Sequence, residues 1–204
     1  MTDLVTVPSM LIREFNQMQW VDPRQVLVNL RWVEANLPST MDERIRRLRT
    51  NQLNEWREAR LAALFAFGIG DQVLKTPTQV SKTERRDFDF VMRWESDNAD
   101  HFYPAQLKEL PPDEINPRVS LNDIYDKLEK YSGANDLSVV ICLNRRSRFE
   151  HQPWSRVPRP RIKELWYLGC KSPDQSIWFL FGCALRSDPR MYEFRYPDGE
   201  SNVA

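Results

Sequence analysis

The sequence predicts an α/β domain built on a mixed central sheet, and three observations carry that prediction. Phe88, Phe90, Met92 and Trp94 alternate with Asp87, Asp89 and Arg93, the period of a strand with one apolar face. Residues 137–143 (LSVVICL) form a continuous β-branched and apolar run, which suits a central strand covered on both faces. Leu121, Ile124, Tyr125, Leu128 and Tyr131 recur at helical spacing between them, so a helix carries the chain from one strand to the next.

The bulk composition agrees with that class. A chain of 204 residues, 41% hydrophobic and 28% charged, is long enough for one substantial core. No run of about 18 apolar residues suggests a membrane span, and no secretory leader pattern stands at the start, so the cytoplasm is the expected location. Cys142, Cys170 and Cys183 are widely spaced in apolar surroundings and read as buried thiols. With only His101 and His151 beside them, a structural zinc site is not expected.

Lysine plus arginine and aspartate plus glutamate both number 29, which excludes a protein that coats nucleic acid through bulk charge. The charge is uneven, however. Acidic residues predominate from Glu84 to Asp100. Seven basic residues (Arg145, Arg146, Arg148, Arg156, Arg159, Arg161 and Lys163) crowd the stretch 145–163. Two solvated surfaces would account for this; so would an acidic centre with basic flanks.

Taken in order, residues 1–40 read as a helical, polar-faced segment that packs or dimerises, and residues 41–204 as the main domain. Residues 11–20 make a short amphipathic piece. Asp22 and Pro23 suit a helix start, running to about Asn36 before Leu37-Pro38 ends it. Thr40 and Glu43 fit a capping box for a helix over 42–67, with Ile45, Leu48, Gln52, Trp56, Ala59, Ala63 and Phe67 facing the core. Gly68 and Gly70 are expected to stop it, followed by a short strand at 72–76 and a polar loop at 77–85. Two strands then flank the polar turn 96–100. The helix at 121–131, capped by Ser120, leads to the strand at 137–143. Residues 144–161 form a basic loop with Phe149 and Trp154 interleaved. Strands are expected at 162–168, 176–185 and 191–196.

In the second of the two flanking strands Gln106 and Lys108 share a face opposite Ala105 and Leu107. Folded back as a hairpin, the pair brings Asp89 (or Asp87), Gln106 and Lys108 together. Acid, amide and ammonium on a rigid sheet suit a hard divalent cation beside a water. Helix, three strands, helix and strand follow one another over about residues 42–143.

This arrangement resembles the PD-(D/E)xK nuclease superfamily, with its restriction-endonuclease-like αβββαβ core, here carrying an N-terminal helical segment and extra C-terminal strands. Asp89, Gln106 and Lys108 match its motif. Phe88 replaces the name-giving proline, and Gln106 stands where an acid is usual. The resemblance implies Mg²⁺ (or Mn²⁺)-dependent hydrolysis of DNA, with Asp89 and Gln106 as metal ligands and Lys108 beside the water. It also implies a further carboxylate from the preceding helix: Glu58, or Glu55 in reserve. Arg145, Arg146 and Arg148 are expected to contact nucleic acid, and the N-terminal helices offer a homodimer surface. The alternative keeps the fold without the chemistry, as a binding or interaction module.

Overall fold

The computed structural model describes residues 9–42, 53–83, 88–128, 137–145 and 162–199. The chain is mixed α/β, with a seven-stranded mixed sheet and helices packed on it. Helices α1 (Ser9–Phe15) and α2 (Pro23–Asn36) come first. Helix α3 (Asn54–Gly68) precedes β1 (Gln79–Lys82), β2 (Phe90–Ser96) and β3 (Ala99–Leu110). Helix α4 (Leu121–Leu128) leads to β4 (Ser138–Leu143), β5 (Glu164–Cys170), β6 (Ile177–Gly182) and β7 (Arg190–Arg195). The sheet order is the chain order, β1 to β7. Strands β1, β2 and β3 are antiparallel neighbours, β3–β4 and β4–β5 are parallel, and β5, β6 and β7 are antiparallel again.

Local signals place several elements where the sequence predicts them. The Asp22 carboxylate accepts from the Arg24 amide at 2.8 Å, with Pro23 at the first helical position, so α2 starts as capping rules require. Ser120 and Asp123 cap α4 reciprocally, each accepting from the other's backbone amide, at 2.7 and 3.2 Å. Asp97 and Asn98 both take positive φ (53° and 58°) between the paired residues Ser96 and Ala99. That is the two-residue hairpin turn favoured by the twist of antiparallel strands.

Helices cover both faces of the sheet. On one face the fully buried ring of Phe65 in α3 meets Phe90, Tyr103 and Trp166 at 5.8, 6.0 and 6.0 Å between centroids. On the other, the Tyr125 hydroxyl of α4 hydrogen-bonds that of Tyr167, which shares a face with Ile141 and Lys108 through the strand register. Helix α2 lies against α3, burying Leu27 and Leu30 and pairing Glu34 with Arg60. Leu27 and Leu30 are therefore used within the chain, while Trp32 of the same helix stays exposed.

Three local expectations are corrected. Gly68 and Gly70 do not stop α3: Gly68 is right-handed helical (φ −63°), and the chain continues as a π-helical turn, Ile69–Leu74, closed by Lys75 at φ 56°. Gly68 serves close packing instead, since a Cβ there would stand 2.6 Å from the Phe194 ring. The first strand is not at 72–76 but at Gln79–Lys82, inside the expected loop. Its QVSK sequence gives little apolar signal, and it is held by β2 and by a bridge from Val21 to Val80. Trp56, expected in the core, is 53% exposed. Of the expected capping box, Thr40 lies in a turn and Glu43 is outside the described residues, as are positions 43–52 of the helix expected over 42–67.

Burial raises the phenol pKa values of Tyr103, Tyr125, Tyr167 and Tyr196. Because the folded chain retains protons that the unfolded chain gives up, their contribution is complete below the ordinary phenol value of 10.0 and is lost as pH rises beyond it. Urea midpoints measured between about pH 8 and about pH 11 are expected to fall steeply above about pH 10. A flat profile would show that these phenols do not govern alkaline stability.

Candidate functional site

Asp89 sits at a break in strand alternation. Phe15 of α1 packs edge-on against Phe88 (5.8 Å) and against Phe102 (5.4 Å), whereas Phe90 packs against Phe65. Phe102 and Tyr103 are adjacent in β3 and face opposite sides, so Phe88 and Phe90 face opposite sides too. The expected single face of Phe88, Phe90, Met92 and Trp94 therefore holds only from Phe90 onward. The reason is a bulge: Phe90 pairs with Ala105, yet the Asp89 amide also donates to the Ala105 carbonyl at 2.9 Å.

The bulge turns the Asp89 carboxylate toward β3. Its Oδ2 accepts from the Leu107 amide at 2.7 Å and from the Gln106 side-chain amide. Gln106 is 6% exposed, and its Oε1 is buried with no hydrogen-bond partner among the described residues. Lys108 follows two positions later, half-buried, on the same face of β3 as Gln106. The structure thus brings Asp89 and Gln106 into contact and sets Lys108 along the same strand.

It does not gather the other expected residues. Glu58 pairs with Lys82 at 3.6 Å rather than with Asp89, in a contact exposed enough to contribute on the order of 0–1 kcal/mol. Lys82 is the register partner of Phe90 and so faces α3, whereas Gln106 and Lys108 face the other side. Glu55 is exposed on α3. The Arg145 guanidinium is engaged inside the chain, donating to the carbonyls of Pro111 (2.9 Å), Asn116 (3.0 Å) and Val119 and pairing with Asp113 (3.1 Å). It ties down the 111–119 loop. Arg146, Arg148, Phe149, Trp154, Glu84 and Asp87 lie outside the described residues. Among the described residues, no three or more His, Cys, Asp or Glu side chains form a group able to hold a metal ion.

A second polar cluster was not foreseen. Glu164, 3% exposed, accepts at Oε2 from the Tyr103 hydroxyl (2.8 Å) and Trp166 Nε1 (3.1 Å), and pairs at Oε1 with Arg186 (3.2 Å). Ser138, the register partner of Glu164, adds a buried hydroxyl to this cluster beside the Tyr103 phenol. The one sequence signal was an acid opening an otherwise apolar strand, ELWYLGC. Among the described residues, no helix is long and apolar enough to cross a membrane. No family model, no curated protein and no solved structure matches this chain.

Proposed function

We propose that the protein is a metal-assisted phosphodiesterase acting on nucleic acid, taken as DNA, with a restriction-endonuclease-like core. The observation that carries this reading is the contact of Asp89 with Gln106, with Lys108 two positions along the same strand. The order of helix, three strands, helix and parallel strand supports it. In kind, the donors fit a hard cation: a carboxylate, and a buried amide oxygen with no hydrogen-bond partner among the described residues. Asp89 and Gln106 would hold Mg²⁺ or Mn²⁺, which when bound supplies a Lewis acid and a more acidic water.

The chain's own residues do the rest. The Leu107 amide fixes the Asp89 carboxylate by its Oδ2. Gln106 holds that oxygen with its amide nitrogen and offers Oε1. Lys108 places an ammonium where it orients the attacking water and steadies the charge that builds on the phosphoryl oxygens. Glu58, paired with Lys82 on the α3 side of the sheet, is left out of this scheme.

A catalytically inactive binding module is the second reading, and one observation favours it. Both hydrogen bonds to Asp89 fall on one oxygen and explain the residue as a strand cap, without a cation. Cleavage assays with Mg²⁺ or Mn²⁺ on several DNA forms separate the two. Asp89→Asn and Lys108→Ala are each expected to lower the rate about a hundredfold or more while leaving the fold intact. Gln106→Glu is expected to tighten Mn²⁺ binding, because it restores a second anionic oxygen. Wild type and variants that are equally inert, or equally active, sink the hydrolase reading.

A further inference from the structure

We propose that the amino-terminal segment, acting through Phe15, is the positioning element of the Asp89 site. The inference deepens the hydrolase reading and rests on it only for calling Asp89 and Gln106 a site.

Phe15 is fully buried, and its ring meets both Phe88 and Phe102. Phe88 is the covalent neighbour of Asp89, so whatever sets its face also sets the bulge that aims the carboxylate. The segment after α1 is anchored too. Trp20 packs on Phe102 at 5.8 Å, and Val21 exchanges backbone hydrogen bonds with Val80 at 3.0 and 2.9 Å. Strand β1 in turn reaches the site, because the Thr83 amide donates to the Asp89 carbonyl at 3.1 Å. The amino-terminal segment therefore grips the strand break from the sheet face, through Phe88, and from the sheet edge, through β1.

A bulge is one residue away from regular pairing, and a one-residue slip moves side chains to the other face. Removing the Phe15 ring removes an aromatic contact that helps hold Phe88 on its side. The strand then relaxes toward regular alternation, and the Asp89 carboxylate leaves the Leu107 amide. Phe15 touches neither substrate nor cation in this scheme; it is a positioning residue acting through Phe88.

Amide hydrogen exchange in the full chain tests this without metal or substrate. The Leu107 amide reports the carboxylate directly, and Asp89→Ala, which removes the acceptor, calibrates its loss. In Phe15→Leu, and likewise in Phe88→Leu, Leu107 protection is expected to fall about tenfold or more, while the amides of Val140 in β4 and Leu168 in β5 keep theirs. Unchanged Leu107 protection in the folded variants overturns the proposal, and so does an equal fall at all three amides, which marks general loosening. Mn²⁺ titration separates this result from the hydrolase reading. If wild type binds no Mn²⁺, that reading fails, while the exchange pattern still decides the role of Phe15.

Discussion

Replacing Glu164 by alanine is expected to lower the unfolding free energy by about 3–5 kcal/mol. The side chain is 3% exposed and accepts from Tyr103 and Trp166, both buried in the same layer. Without the carboxylate, two desolvated donors lose their acceptor and a void opens beneath α3. Arg186 contributes less to the loss, since its side chain is 44% exposed and its charge returns to water. Glu164→Gln should cost clearly less, because the amide oxygen still accepts one of the two hydrogen bonds at similar volume. Urea unfolding of both variants gives the comparison. A loss below about 1 kcal/mol for the alanine variant, the net worth of one ordinary hydrogen bond, would mean that the cluster does not stabilise the sheet.

Truncating Phe65 to alanine is expected to cost a similar amount, about 3–5 kcal/mol, from lost burial and a residual cavity. Its ring has no exposed surface and touches β2, β3 and β5 through Phe90, Tyr103 and Trp166. That is a large share of the stability usual for a single domain, about 5–15 kcal/mol. The denaturation midpoint should fall with an unchanged slope, followed by the fluorescence of Trp166 and the other tryptophans. A drop of under about 1 kcal/mol would show that the helix–sheet layer repacks around the gap.

Much of the element list was legible because its signals are local. Asp22 before Pro23 and Ser120 before Asp123 start helices through bonds made within a few residues. The apolar run of β4 and the strands β5 to β7 announced themselves by composition. The candidate site was half legible. Alternation set Gln106 and Lys108 on one face, and the hairpin brought Asp89 to Gln106, but the bulge at Asp89 leaves no mark in composition or period. The contacts of Glu58 and Arg145 were illegible in the same way. A charged side chain carries no sign of its partner, and here the partners are Lys82 in one case and loop carbonyls in the other.

The sequence by itself determined that this is an α/β chain, where most of its helices and strands run, and which polar residues share a strand face. Those properties follow from hydrophobic period and capping chemistry, which act over one or two turns or a few strand residues. Only the tertiary structure decided the place of β1, the continuation through Gly68, the turning of Asp89 toward Leu107 and the burial of Glu164. Each of these depends on groups distant in the chain, Val21 on Val80, Phe194 on Gly68, Phe15 on Phe88 and Arg186 on Glu164. Such pairings are set by packing and desolvation across the whole molecule, and no local pattern records them.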